Sequence, residues 1–395
     1  MIAYTKYFVF LILLSTSSLA KAQGTPSFGP ETDVTINGLT FDAMEPFISA
    51  DGTYLFFNNI NDGVDTKLFY ATRVNDSTFD LVGEVNGTNQ APAAMLLDAV
   101  PDLDTLNNFY WTSNRNYPAE LDNLMHGTFS NGNVTNIGHV HGDFNMGIPG
   151  WLVMDHGVSY DGELLYFNNA RFDPVGCQGP CETVLGVAQK VNDSTFMTLP
   201  NSATLMTTVN DTNFIYYAPC ISSNNLELYY SRYPRDSVTL ATQFDICVAT
   251  RNSATDNFSM PVVLFSELFI DLIEAPTLTK NMEIMYYHRS IPGSHKIVMR
   301  QRLNFASVSN LNEIPPLIHV FPNPAENKLN LDISDTYSDN YSIIIMDNFG
   351  EIVSKPITVT EGSNEIDISL LSSGMYSIHL SHNRINLKSI SFIKK

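Results

Sequence analysis

Basic residues are scarce in this chain of 395 residues. Its 21 Lys and Arg stand against 41 Asp and Glu, leaving a net charge of −20. So acidic a surface repels phosphate and excludes nucleic acid as a natural partner. Nearly all of that charge lies before residue 317, because residues 317–395 hold 6 basic and 9 acidic side chains. Such a body attracts cations and divalent metals, although solubility outside a cell is the plainer use of the charge. Long apolar runs are missing too. Beyond the first 22 residues no segment is apolar enough to cross a bilayer, so no transmembrane anchor is expected. No stretch keeps a 3.6-residue apolar period, which excludes a helical body. There is no Gly-x-Ser-x-Gly, no His-Glu-x-x-His, no phosphate loop and no calcium-loop repeat.

Cysteine is limited to Cys177, Cys181, Cys220 and Cys247, at spacings too loose for a zinc cluster. The N-terminus explains how they could be used. Lys6 is followed by the apolar run Tyr7 to Leu14 and by the small-x-small site Ala20-Lys21-Ala22. That order reads as a secretory signal peptide over 1–22, with the mature chain starting at Gln23. No cysteine follows the cleavage site, which argues against a lipid anchor. Export leads to an oxidising compartment, so two disulfides are expected. Local pairing, Cys177–Cys181 and Cys220–Cys247, is favoured among three connectivities.

Residues 23–310 carry short aromatic and β-branched runs between Asn, Asp and Gly turns, the pattern of an all-β body. A repeat decides its architecture. Glu45-Pro46-Phe47-Ile48-Ser49-Ala50-Asp51-Gly52 precedes Tyr54-Leu55-Phe56-Phe57. Asp155-His156-Gly157-Val158-Ser159-Tyr160-Asp161-Gly162 precedes Leu164-Leu165-Tyr166-Phe167. Further copies start at Ala218-Pro219 and Ala275-Pro276 and end in Tyr229-Tyr230 and Tyr286-Tyr287. A degenerate copy starts at Ala91-Pro92 and reaches Phe109-Tyr110-Trp111 after an insertion. Each copy is a strand, a tight turn and a second strand. Successive side chains alternate faces, so each aromatic pair offers one ring to each neighbouring sheet. The spacing of the pairs leaves room for four strands per repeat, which is a propeller blade. Five blades fill the body, and six is the alternative. The N-terminal segment Asp33–Thr40 is expected to complete the last blade, which shows three clear strands; Leu303–Ser307 is the competing donor.

The line Ser-x-Asp-Gly-x-x-Leu-Tyr/Phe-Phe resembles the WD40-like β-propeller repeat of the Tol-system periplasmic protein, in pieces over 45–290. That resemblance implies a fold and no activity. After a linker at 311–316 comes Val320-Phe321-Pro322-Asn323-Pro324-Ala325. Then follow Asp347-Asn348-Phe349-Gly350, Leu371-Ser372-Ser373-Gly374-Met375-Tyr376 and the basic end Lys394-Lys395. Alone these are the strands and turns of a small antiparallel, immunoglobulin-like β-sandwich. In this order they resemble the C-terminal sorting domain of type IX secretion, over 317–395. The resemblance implies contact with the type IX machinery, passage across the outer membrane, and surface attachment or release.

Two groups of side chains stand out as candidate sites. His139 and His141 alternate on a strand, so both imidazoles share a face that a divalent metal could use. Glu45, Asp155, His156 and Glu274 lie where the chain enters an innermost strand. Radial symmetry would gather them at one mouth of the channel. Two functions fit. One is a surface-displayed binding or scaffold protein whose mouth holds a glycan, peptide or protein. The other is a secreted glycan-degrading enzyme using the mouth carboxyls. A deep mouth with two carboxyls between aromatic platforms favours the enzyme.

Overall fold

The computed structural model describes residues 25–61, 64–90, 96–172, 179–235, 238–303, 317–334, 341–347, 352–360, 362–382 and 385–395. The signal peptide expected over 1–22 lies outside them. No helix among the described residues is long and apolar enough to cross a membrane.

Five antiparallel sheets stand around one axis. Blade 1 runs outward as Met44–Ile48, Tyr54–Asn58, Leu68–Asn75 and Thr78–Glu84. Blade 2 is Leu96–Leu103, Asn108–Ser113, Leu124–Ser130 and Asn133–His139. Blade 3 is Trp151–Val158, Leu164–Arg171, Glu182–Asn192 and Thr195–Thr198. Blade 4 is Phe214–Ile221, Glu227–Pro234, Gln243–Thr250 and Val262–Leu268. Blade 5 contributes Ile273–Leu278, Ile284–Ile291 and Ser294–Leu303. The first strand of each blade touches the first strand of the next, and that of blade 5 returns to blade 1. The body is therefore a five-bladed propeller.

The aromatic pairs hold the blades together. Phe56 faces blade 2 and Phe57 faces blade 5. Tyr110 packs toward blade 3, and Trp111 toward blade 1. Tyr166 and Phe167, Tyr229 and Tyr230, and Tyr286 and Tyr287 repeat the rule: the first ring goes to the next blade and the second to the previous one. All ten rings are buried, each worth about 2–3 kcal/mol relative to exposure.

The turn between first and second strands is built the same way in four blades. Ser49 Oγ donates to Asp51 at 2.6 Å and accepts from the Tyr54 amide at 2.9 Å. Ser159 with Asp161, Ser222 with Asn224 and Thr279 with Asn281 repeat it. Blade 2 departs from the expectation. Its motif copy does not start at Ala91-Pro92, which lies outside the described residues, but at Val100-Pro101 inside the innermost strand, with no insertion. There Asp104 alone closes the turn, accepting from the amides of Leu106 at 2.8 Å and Asn108 at 2.9 Å.

Ring closure also differs in register. Ser27–Phe28 and Thr32–Asp33 pair with Ser294–Leu303 and complete blade 5. Thr35–Asn37 instead runs parallel to Thr78–Glu84 of blade 1. Only the start of the expected Asp33–Thr40 segment thus pairs with blade 5, the rest of the donor lying upstream, and one short segment ties the last blade to the first. The cause is Glu31, whose carboxylate accepts from Tyr287 Oη at 2.6 Å and Arg289 Nη1 at 2.8 Å. Such charge-assisted bonds are stronger than neutral ones and anchor the segment on blade 5.

The expected Cys220–Cys247 bridge is absent; both thiols are free. Cys220 pairs with Tyr229 and Cys247 with Tyr230 on opposite edges of the same middle strand. Two strand spacings separate them, about 9–10 Å, beyond the roughly 7 Å Cα reach of a disulfide. The Cys177–Cys181 pairing rests on Cys177, which lies outside the described residues.

The C-terminal part is a β-sandwich. One sheet is Leu317–Phe321, Lys328–Ser334 and Gly362–Asp367. The other is Ile357–Val359, Tyr341–Asp347, Gly374–His382 and Ile385–Lys394. Ile318, Leu331, Ile343, Ile345, Ile366 and Ile378 pack in the core between them.

Candidate functional site

The innermost strands share one irregularity that shapes the channel. Each has a bulge at the same level. In four blades the bulge residue has a positive φ and precedes proline: Glu45 (50°), Val100 (55°), Ala218 (49°) and Ala275 (56°). Left-handed backbone at such residues costs about 1–2 kcal/mol each, and strain of this kind concentrates at working sites. Proline lacks a ladder donor, and on the innermost strand that loss is tolerable. Blade 3 has Asp155-His156 at these two positions, so His156 stands in a ring with Pro46, Pro101, Pro219 and Pro276.

The bulge level divides two cavities. On one side lies a cavity of about 540 Å³. Glu45 of blade 1, Asp155 of blade 3 and Glu274 of blade 5 all line it. Its wall is a run of rings from blade 4 and the segment after it. Tyr217 meets Tyr233 at 5.9 Å, Tyr233 stacks on Phe244 at 4.7 Å, and Phe244 lies 5.6 Å from Phe269. On the other side is a chamber of about 50 Å³ with His156 and Asp102 in its lining, which Glu45 also borders. Of the four residues read from the sequence, three therefore share the large cavity. His156 does not line it, because neighbouring side chains on a strand point to opposite sides.

Burial dominates the electrostatics of this cavity. Glu45 is pushed up to about 8, first by burial, then by the negative charges of Asp155 and Glu274. Asp155 is pushed up to about 7 by burial, opposed by a backbone hydrogen bond from Ala218. Glu274 is pushed up to about 7 by burial, opposed by the Tyr217 hydroxyl, which donates to it at 2.5 Å. His288 Nε2 lies 3.2 Å from Glu274 Oε1. Burial lowers His288 to about 3, so this imidazole is neutral and spans toward Glu45, whose amide donates to Nδ1 at 3.4 Å. Sequence reasoning missed Tyr217 and His288. Tyr217 directly precedes the bulge of blade 4, the place Glu274 holds in blade 5, and that equivalence was the available signal.

The two imidazoles proposed for a metal sit elsewhere, at the edge of blade 2. Their rings are near each other, 6.4 Å between centroids. His139 already meets Glu120 at 2.6 Å through Nε2 and the Asp122 carbonyl at 2.5 Å through Nδ1. His141 Nδ1 lies 2.7 Å from Asp122 Oδ2. Among the described residues, no three His, Cys, Asp or Glu side chains are grouped so as to hold a metal ion. Both histidines thus face acidic partners, Glu120 and Asp122, at the edge of blade 2.

These titrations set a pH dependence. Glu45, Asp155, Glu274 and Asp102 (about 7) keep protons that the unfolded chain releases above about pH 4. Stability from these groups therefore falls as pH rises to about 7–8 and is flat beyond. His156 and His288, both lowered to about 3, act in the opposite sense, but only below about pH 6.5. Four carboxyls outweigh two imidazoles, so the propeller is expected to melt at a lower temperature at about pH 8 than at about pH 5. Asp155→Asn should flatten that slope. Thermal scans across the range check the sign, and a rising melting temperature would contradict it.

Comparison with known proteins adds the following. Residues 319–394 match the family model described as the secretion system C-terminal sorting domain. The protein is thus directed by type IX secretion to the cell surface or the extracellular space. No curated protein matches the chain in sequence. Solved structures similar in fold include a putative exo-β-1,3-galactanase from Bifidobacterium bifidum. It has a TM-score of 0.44 and 10% identity, over 71% of this chain and 94% of that one. Another is an endo-arabinanase from Bacillus licheniformis, with a TM-score of 0.40 and 14% identity over 69% and 98%. A third is TolB from Acinetobacter baumannii, at 0.33 and 11% over 67% and 55%.

Proposed function

We propose that this secreted propeller is a glycan-degrading hydrolase whose active site is the cavity holding Glu45, Asp155 and Glu274. The observation that supports this reading is the convergence of three carboxyls, from blades 1, 3 and 5, on one aromatic-walled cavity. Glycoside hydrolysis needs a carboxyl that still holds its proton to protonate the leaving oxygen, and a second, ionised one to attack or to activate water. A coupled group titrates in steps. The first proton leaves Asp155 or Glu274, and that charge keeps Glu45 protonated. Glu45 is then the acid, Asp155 the nucleophile or base, and Glu274, held by the Tyr217 hydroxyl, tunes the pair. The test is to incubate the mature chain with a panel of polysaccharides and analyse products. Reducing ends released from one polysaccharide, with none from an Asp155→Asn control, are expected.

Binding without turnover, as a surface-displayed scaffold, is the second reading. It is favoured by the apolar share of the lining, in which Leu97, Leu152, Met154 and Val238 take part. Retention of a polysaccharide with no products would support it. A signal peptide over 1–22, a propeller over 23–310 and a Cys177–Cys181 bridge belong to the same export reading.

Export itself is testable. Deleting residues 317–395 should leave the protein in the periplasm, because contact with the type IX machinery is assigned to that segment. Immunoblots of periplasm and medium check this, and normal levels of the truncated chain in the medium would refute it.

A further inference from the structure

We infer that the unit seated in the large cavity is positively charged: an amino sugar with a free ammonium group, held by Asp155 and Glu45 beside the aromatic wall. This rests on the glycan-hydrolase reading and narrows its substrate class. Four observations support it. Among the described residues the lining contains three carboxyls and no Lys, Arg or His, so no basic side chain there competes for them. Asp155 is only 4% exposed, yet its Oδ2 has no hydrogen-bond partner among the described residues; the buried Oε2 of the half-buried Glu45 likewise has none. Such buried acceptors are costly unless a donor arrives.

The amide groups of the lining are already engaged. Asn61 Nδ2 donates to Glu45 at 3.2 Å, Asn114 Oδ1 accepts from Leu97 N at 2.8 Å, and Asn123 makes two bonds to the Val153 backbone at 2.7 and 2.8 Å. Once ionised, the three carboxyls give the site a surplus of acceptors. An ammonium group brings three donors and no acceptor, which is the complement. Finally, Tyr217, Tyr233, Phe244 and Phe269 line the same cavity, and aromatic rings attract cations.

Binding such a cation favours the ionised carboxyls. Carboxyls raised by burial at Glu45, Asp155 and Glu274 would give up a proton to buffer as the ligand enters. The other titratable groups facing them are Tyr217, Tyr233, Tyr117 and the neutral His288, none of which supplies a competing cation.

Isothermal titration of the full mature chain tests this at about pH 6.5 and low salt. The probes are three tetramers of equal length: β-1,4-glucosamine, β-1,4-N-acetylglucosamine and β-1,4-glucose. The free-amine tetramer should bind about tenfold or more tighter than either of the others. It should also release protons, read as a heat that varies with the buffer's ionisation enthalpy. Asp155→Asn should bring the three affinities together; Glu45→Gln serves if that variant does not fold. Equal affinities, preference for the acetylated or neutral tetramer, or no binding by any of the three would overturn the inference. Cleavage of a neutral polysaccharide without amine preference would sink it and leave the hydrolase reading standing. Tight amine binding with no cleavage would keep the charged site and sink the hydrolase reading.

Discussion

Asp155→Asn and Glu45→Gln should each lower glycan turnover by about 10²–10⁴-fold, the range lost with a positioned acid or base. The two variants should differ in how they fail. Glu45 is the group that burial and its neighbours hold protonated to about pH 8. Its loss removes the proton donor, so substrates with good leaving groups, which need little protonation, should be spared. Asp155 lines the cavity and is the more deeply buried of the two, and its Oδ2 has no hydrogen-bond partner among the described residues. Its loss removes the nucleophile or base and should affect all substrates alike. Glu274→Gln should be milder, since the amide can still accept from the Tyr217 hydroxyl. Its signature is a shifted pH profile, because it removes a negative charge that raises Glu45. Rates for an aryl glycoside and a natural oligomer separate the three cases. Turnover within about threefold of the parent in both Asp155→Asn and Glu45→Gln would exclude these carboxyls from the chemistry.

Much of this arrangement could be read without coordinates, for a physical reason. The aromatic pairs must fill both gaps beside every blade, so they recur, and their recurrence counts the blades. Phe56 and Phe57, or Tyr229 and Tyr230, are legible because packing demands them. The turns are legible where Ser-x-Asp carries them and vanish where Asp104 does both tasks alone. That substitution hid the start of blade 2 and made Ala91-Pro92 look like a copy. Glu45 and Asp155 were legible because they share a repeat position, and Glu274 because it sits one residue away. His156 was misread. Adjacent positions on a strand face opposite sides, and a bulge at this level makes the side hard to count. Closure was misplaced because the Glu31 contacts to Tyr287 and Arg289 span more than 250 residues of sequence, and no local pattern announces them. The paired cysteines failed for a related reason: spacing along the chain said nothing of the strand lying between Cys220 and Cys247.

Arg302→Ala should destabilise the propeller by about 3–5 kcal/mol, the cost of stripping one partner from a buried ion pair. Glu227, in the second strand of blade 4, is fully buried, and Arg302, in the third strand of blade 5, is 13% exposed. The guanidinium donates through Nη1 and Nη2 to the two carboxylate oxygens, each at 2.7 Å. Tyr229 Oη also donates to Glu227, at 2.5 Å. Removing the arginine leaves a carboxylate in a place with little water, and the Tyr229 hydroxyl does not supply the lost positive charge. The pair also joins two blades that share the Phe28 contacts, 6.3 Å to Tyr229 and 5.9 Å to Phe265, so its loss loosens the seam next to the ring closure. A second variant isolates the cause. Arg302→Met combined with Glu227→Gln removes both charges, keeps an acceptor for Tyr229 and retains much of the buried volume. It should recover most of the loss, because a buried pair is often no more stable than well-packed neutral groups. The chain's two tryptophans, Trp111 and Trp151, both lie in the propeller. Tryptophan fluorescence during urea unfolding therefore reports the blades and not the C-terminal sandwich. If Arg302→Ala shifts that transition by less than about 1 kcal/mol, the pair behaves as a solvated surface bridge. If the double variant is as weak as the single one, the guanidinium's packing, and not the stranded charge, holds blades 4 and 5 together.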